Sequence, residues 1–341
     1  MRKQIKNTRL NYRALILIGI VLISLGVVFS CKEEESQIPI EEPFEVINAF
    51  IIDNQGTKLL ATNNGLYTLN TSTGKFNKLD SGIEPAPISD LAIFHKETSD
   101  DLWLASYAGA LNYSNKELLT TTNSGLHNNV VNHLNYDNRA ISYFATPSGI
   151  SILTNETWIN NIGLDSLYLK FDITDMATAS NGYTYTTTKG GGVERFKVEL
   201  DGITGATVFD TDWTKLKSNN VLTVFIDDTV QAYGTDNGVA LHFSEFTKWD
   251  WENYTAADGL INDTVLSILK DHSGIWWFGT SQGLSGFDGT EWKNYSTATH
   301  EMISNTIKFL ALDMDGTLWF AYDAGLSQLI NNQWINYPKT K

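Results

Sequence analysis

"GIWWFGTSQGLSGFDG", Gly274 to Gly289, sets two tryptophans before a Gly-Thr step and places a second glycine, Gly283, four residues after the first, Gly279. Alone, the fragment suits a sugar-stacking platform, a catalytic loop or one unit of a repeat. The rest of the chain decides. "GTLWFAYDAGLSQL" from Gly316, "DDLWLASYAGALNY" from Asp100, "AISYFATPSGISIL" from Ala140, "TVQAYGTDNGVALH" from Thr229 and "GTKLLATNNGLYTL" from Gly56 are echoes of it, and "YTYTTTKGGGVERF" from Tyr183 is a divergent seventh copy. The anchoring glycines, Gly65, Gly109, Gly149, Gly192, Gly238, Gly283 and Gly325, are 44, 40, 43, 46, 45 and 42 residues apart. A period of about 40 to 45 residues with strand-like alternation is that of radial four-stranded blades.

The sequence therefore predicts an all-β, seven-bladed β-propeller of four-stranded antiparallel blades over residues 44–341, divided near residues 84, 127, 170, 217, 261 and 303. No segment carries a sustained helical period. Four residues before each anchoring glycine stand Ala61, Ala105, Ala145, Thr188, Gly234, Gly279 and Ala321. All are small, as the narrow end of a wedge-shaped blade requires. The flanking Trp277, Phe278, Trp319 and Phe320 alternate across the sheet and read as filling between blades rather than as a sugar platform. A Trp or Phe recurs on the fourth strand at Phe76, Trp158, Trp249, Trp292 and Trp334. Asp53, Asp271 and Asp313 share one repeat position, where the side chain can cap its own turn.

The N-terminus is a different kind of sequence. Residues 1–13 carry Arg2, Lys3, Lys6, Arg9 and Arg13 and no acid, and the apolar run Ala14 to Phe29 is 16 residues long, shorter than the roughly 20 of a spanning helix. This is a signal-peptide layout over residues 1–30. "VFSC", ending at Cys31, resembles a bacterial lipobox, so Cys31, the sole cysteine, is the expected lipidation site. The following "KEEES" resembles the signal that exports Bacteroidetes-type lipoproteins to the cell surface, and residues 31–43 read as an acidic tether. Without its leader the chain keeps 19 of its 24 basic side chains against 39 acidic ones, a formal net charge of −20. Such a surface repels phosphate backbones, and nucleic acid is not an expected partner.

The pattern N-x-V-x-x-I-x-x-D-x-x-G-x-x-W-x-G-T-x-x-G-L, followed with small departures from Asn262 to Leu284, resembles the two-component regulator propeller repeat. In that family such repeats commonly form periplasmic sensor domains that detect polysaccharide fragments, which implies a propeller and, with it, ligand recognition. The chain ends at Lys341 directly after the seventh repeat, so signal transduction within it is not expected.

No G-x-S-x-G elbow, H-E-x-x-H helix or phosphate loop is present. The stronger signal is a polar ring formed by the loops leading into first strands and the turns joining second to third strands. The expected ligand-binding residues are Tyr107, Asn129, Lys189, Asn219, Asp236, Asn262, Asp263, Gln282, Asn305 and Asp323, weighted toward blades 4 to 6. The leading expectation is a non-catalytic lipoprotein, lipid-anchored in the outer membrane and surface-exposed. It binds a glycan or a surface or periplasmic protein, and needs no cofactor or metal. The alternative is a metal-dependent lyase or hydrolase. The chain resembles the virginiamycin B lyase type in repeat length and aromatic strands, and His127 and His300 lie in connections where a metal site could be built.

Overall fold

The computed structural model describes residues 44–82, 87–95, 100–160, 172–199, 202–212, 214–243 and 250–339. The signal peptide, Cys31, the tether, Trp213 and Trp249 lie outside the described residues. The compact unit to which the repeats belong spans Glu42–Lys341. Among the described residues no helix is long and apolar enough to cross a membrane.

Seven four-stranded antiparallel sheets span residues 47–79, 88–119, 133–160, 173–209, 221–254, 265–295 and 309–338, and in each the strands pair in chain order. The boundaries expected at 127, 217, 261 and 303 fall between sheets, and those at 84 and 170 lie outside the described residues. Blades 1 and 7 each own all four of their strands. Side chains therefore close the ring. Lys58 of blade 1 pairs with Asp313 of blade 7 at 2.5 Å and lies 4.7 Å from the centre of the Trp319 ring. Lys308 reaches the Ile47 carbonyl and Asp323, which also accepts the Ile47 N–H at 3.0 Å.

The hydrophobic core divides into seven clusters, one per pair of neighbouring blades. Trp276 and Phe278 face blade 5, whereas Trp277, one residue out of phase, faces blade 7. Trp319 packs on blade 1 and Phe320 on blade 6. The tryptophans of the opening stretch are thus the cement between blades.

Each anchoring glycine opens a third strand and has a positive φ, from +81° at Gly192 to +148° at Gly283. A Cβ on Gly283 would stand 2.5 Å from the Tyr295 carbonyl oxygen of the fourth strand, so both backbone angle and space demand glycine. Three residues earlier, or four in blade 4, a buried hydroxyl closes the hairpin in six blades. Thr280 Oγ1 donates to the Gly283 carbonyl at 2.8 Å and accepts the Gln282 N–H at 3.1 Å. Thr62, Ser106, Thr146, Thr188 and Thr235 donate likewise to their own glycines.

The small residues before the glycines lie where the next blade's first strand comes closest. Ala61, Ala105, Ala145 and Ala321 are fully buried. Blade 4 departs from the expected count: its hairpin carries one extra loop residue, and Thr187, not Thr188, holds the small position by pairing. A second departure concerns the fourth-strand aromatic of blade 5. Trp251 pairs with His242, four residues past Gly238, as Trp292 pairs with Phe287 four past Gly283, so Trp251 takes the place expected for Trp249. The Asp turns are caps, as expected for Asp53 and Asp271. Asp271 Oδ1 accepts the N–H groups of Ser273 and Ile275 while Oδ2 accepts Trp277 Nε1 at 2.8 Å, and Asp53 accepts Gln55 and Thr57. Asp313 accepts only the neighbouring Met314 N–H and spends its other oxygen on Lys58.

Candidate functional site

Loops leading into first strands and turns joining second to third strands lie on one face, because they bond to each other. Asn63 Oδ1 accepts the Glu45 and Val46 N–H groups, Asn128 Nδ2 donates to Ser148 Oγ, and Asn220 Nδ2 donates to Asp236 at 2.9 Å. Ser281 Oγ donates to Asn262 Oδ1 at 2.8 Å.

Within this rim the expected residues separate into two kinds. Asn129, Asn219, Asp263 and Asn305 occupy one repeat position, and each uses a side-chain oxygen to hold the tail of the preceding blade. Their oxygens accept the N–H groups of Thr121, Thr211, Ala256 and Thr297 at 2.7, 2.8, 2.6 and 2.8 Å. One residue earlier, Asn128, Ser218, Asn262 and Ser304 each cap the amide two residues ahead. Asp236 is tied to Asn220, and Asp323 to Ile47 and Lys308. Tyr107, Lys189 and Gln282 differ. All three are exposed, Tyr107 at 58%, and their side chains make no hydrogen bond or ion pair among the described residues. Lys189 is held by its backbone alone, through its N–H to the Asp172 carbonyl and a bridge to Asn220. The expected residues whose side chains are not spent on the rim itself thus come from turns of blades 2, 4 and 6.

His127 and His300 are far apart in role. His127 is exposed, and its backbone N–H donates to Ser151 Oγ. His300 Nδ1 meets Thr299 Oγ1 at 2.9 Å, with its ring packed on Tyr295 at 4.7 Å between centres. Among the described residues no three His, Cys, Asp or Glu side chains gather as metal ligands.

The first strands carry a feature the motif search did not find. Each is preceded or opened by a buried aliphatic residue: Ile47, Ile88, Val131, Ile173, Val221, Val265 and Ile307. The residue after it often donates across the seam to the same carbonyl one blade on. Asn48 donates to the Ile88 carbonyl, Ser89 to Val131, Thr174 to Val221 and Lys308 to Ile47. At blades 5 and 6 that residue is Leu222 or Leu266. There the small position is glycine, and a Cβ on Gly234 or Gly279 would lie 3.1 Å from the Val265 or Ile307 carbonyl oxygen. Seams are therefore closed either by a side-chain donor or by direct backbone approach. Aligning the repeats on the aliphatic residue instead of the glycine would have exposed this pattern.

Residues 259–282 match the family described as two component regulator propeller. The chain carries a two-component regulator propeller repeat. In this repeat Gly259 lies under the Trp292 ring, Asn262 caps the incoming loop, Asp271 caps the next turn, and Gly279 and Thr280 meet the seam and the hairpin. Every consensus residue so placed builds the blade. Solved structures agree with the fold. The chain is similar to an extracellular domain of a hybrid two component system from B. thetaiotaomicron, with a TM-score of 0.65 and 18% identity, covering 83% of this chain and 38% of that one. A streptogramin B lyase aligns with a TM-score of 0.63 and 13% identity, covering 85% of this chain and 94% of that one. PorZ, a surface component of the type-IX secretion system of Porphyromonas gingivalis, aligns with a TM-score of 0.58 and 14% identity, covering 86% of this chain and 38% of that one. No protein of curated function matches the sequence. At these identities the regulator-propeller likeness is one of fold.

Proposed function

We propose that this protein is a surface-anchored, non-catalytic binding propeller, tethered to the outer membrane through lipidated Cys31, that recognises a glycan through the face carrying Tyr107, Lys189 and Gln282. One observation carries the reading: the rim's amide and acid groups are largely spent on fixing its own loops, which leaves three outward-facing side chains on a rigid frame. Binding groups on loops held by a stiff scaffold lose little entropy when a ligand arrives. Tyr107 offers an exposed ring face for a sugar, while Lys189 and Gln282 offer donors for hydroxyl and carboxylate groups. Asp236 and Asp323, both exposed, each keep one carboxylate oxygen outside their bonds to Asn220, Ile47 and Lys308.

The test is titration of the wild type and of a Tyr107→Ala, Lys189→Ala, Gln282→Ala variant against an array of polysaccharide fragments. Loss of two hydrogen bonds at about 0.5–1.5 kcal/mol each and of the ring contact predicts an affinity loss of tenfold or more with unchanged melting temperature. A bound glycan whose affinity does not move in the variant would place the site elsewhere on the molecule. Equal membrane retention of wild type and Cys31→Ser would remove the lipid anchor from the proposal.

A further inference from the structure

We propose that the outer edge of blade 4 is a docking site for an extended acidic segment of a partner protein, which adds a strand to Gly202–Phe209 and brings a carboxylate to Arg195. The fourth strand is the outermost in every blade and has a sheet neighbour on one side only. Such edges are templates for pairing with another chain, and shortness, charge or proline normally guards them. Six of the seven are guarded in this way. Glu117–Leu119, Thr157–Asn160 and Trp292–Tyr295 have three or four residues, Lys75–Leu79 carries two lysines, Asp250–Tyr254 carries Asp250 and Glu252, and Gln333–Pro338 ends in proline. Gly202–Phe209, "GITGATVF", is eight residues long and has neither a charge nor a proline. Thr204, Gly205 and Ala206 are exposed along it.

The adjoining third strand holds Arg195, a cation without a counter-ion. Past the leader the chain has only two arginines. Arg139 is fully engaged: its guanidinium donates to Asp137 Oδ2 at 2.6 Å and to the Gly182 and Val198 carbonyls at 2.9 Å each. Arg195 meets no carboxylate among the described residues. Its Nη2 donates to Thr207 Oγ1 at 3.3 Å, and its Nε–H is buried without an acceptor. The guanidinium lies 4.6 Å from the centre of the Tyr183 ring and 5.5 Å from that of Phe209, and faces the Tyr185 phenol. The neighbouring groups are donors too. Trp251 of blade 5, packed edge-on against Phe209 at 6.3 Å, also keeps a buried Nε1–H without an acceptor, and His242 is stacked on Trp251 at 4.6 Å. Burial and the Arg195 charge lower the His242 pKa, as they do where no anion offsets that charge. Lys197, two residues on, is already paired with Glu199 at 2.9 Å, which leaves Arg195 as the open cation of this corner.

The bare edge and the open cation are in register. Thr207 pairs with Arg195 and Phe209 with Val193, so these side chains share the sheet face that packs toward blade 5. A residue of an added strand opposite Thr207 would project on the same face, about 10 Å from the Arg195 backbone at two strand spacings. An arginine and a glutamate side chain bridge that span. The one guard on the strand is a bulge, where Gly205, at φ +63°, and Ala206 stand opposite Phe196. Bulges bend a strand and re-aim its side chains, and this one immediately precedes the threonine whose hydroxyl meets Arg195. When a peptide joins a sheet edge, main-chain hydrogen bonds supply affinity and side-chain sites supply selection. A row of backbone groups along an uncharged strand suits a peptide rather than an acidic sugar. Elsewhere the excess of acidic over basic side chains disfavours the same segment.

The experiment takes a display library of random dodecapeptides, depleted first on immobilised Arg195→Gln protein and then selected on the wild type. Selected peptides should carry Asp or Glu and bind the wild type about tenfold or more tightly than the variant, as loss of one partner of a desolvated charge pair requires. They should slow hydrogen exchange in residues 202–209 and leave 292–295, the short fourth strand of blade 6, unchanged. Ala206→Glu, which places an acid on the bare edge and leaves Arg195 in place, should weaken the same peptides by a similar factor. In the wild type, sodium acetate and a galacturonic acid trimer are titrated in parallel while the Arg195 Nε–H signal is followed by NMR. Acetate should shift that signal saturably, and the trimer should bind less tightly than the selected peptides. The proposal is overturned if no peptide survives the depletion, if the selected peptides lack an acidic residue or leave 202–209 unprotected, or if the Arg195 signal ignores acetate. A trimer that binds more tightly than any selected peptide would assign the site to an acidic sugar and overturn it as well. The acetate titration decides the matter even if Arg195→Gln does not fold.

Discussion

Replacing Gly279 by alanine tests the account of the blade seams most directly. A Cβ at this position would stand 2.3 Å from Ser267 Oγ, 2.8 Å from Ile307 Cγ2 and 3.1 Å from the Ile307 carbonyl oxygen. Ile307 is fully buried in the seam with blade 6 and can retreat only by moving the incoming chain of blade 7. Overpacking of this type costs about 1–3 kcal/mol. Alanine returns about 0.5–1 kcal/mol through its lower chain entropy relative to glycine, so the net loss should be roughly 1–2 kcal/mol. Ser267→Ala separates the contacts. Its hydroxyl is buried and has no hydrogen-bond partner among the described residues, so removing it should be close to neutral alone. In the double variant it relieves the shortest contact and should recover about half of the loss, a coupling that only neighbouring sites show. Urea unfolding followed through the fluorescence of the ten tryptophans measures all three variants. A Gly279→Ala protein as stable as wild type, or a destabilised one that Ser267→Ala does not rescue, would refute the close-approach reading of the seam.

Two further outcomes follow from the same geometry. Thr280→Val should cost about 1–3 kcal/mol by leaving the Gly283 carbonyl and the Gln282 amide without their hydroxyl, while Thr280→Ser should be much milder, as thermal unfolding of the pair will show. Lys58→Met should cost about 3 kcal/mol because it strands the half-buried Asp313 carboxylate at the junction of blades 1 and 7, and a change within 0.5 kcal/mol in urea unfolding would contradict the closure described above.

Much of the fold was legible because one geometric demand is repeated seven times. The glycines recur since each must take a positive φ against a fourth strand, and the small residue recurs since each blade meets a neighbour there. Errors arose where the spacing changed within a unit. The extra loop residue at Lys189–Gly191 shifted the small position of blade 4 from Thr188 to Thr187, and pairing rather than motif spacing chose Trp251 on the outer strand of blade 5. His133 belongs to no motif. It becomes conspicuous only in register with Asp90 and Asp175, and that register depends on sheet pairing.

The rim was less legible, for a chemical reason. An asparagine that caps a loop and one that grips a sugar hydroxyl present the same amide, and turns select Asn and Asp for backbone reasons alone. Asn129, Asn219 and Asn305 recur at one repeat position and their oxygens accept backbone N–H groups eight residues upstream, so their periodicity reports loop construction. Side chains that serve the scaffold tend to recur from blade to blade, because every blade poses the same problem. Those that serve a ligand are free to differ, because a ligand is not sevenfold. Two positions before the anchoring glycine, Asn63, Asp236, Ser281 and Asp323 bond to the incoming loops, yet blade 2 carries Tyr107 there and the longer turn of blade 4 presents Lys189, both with unspent side chains. On this argument it is the irregular members of the rim, rather than its repeated amides, that direct the search for a binding partner.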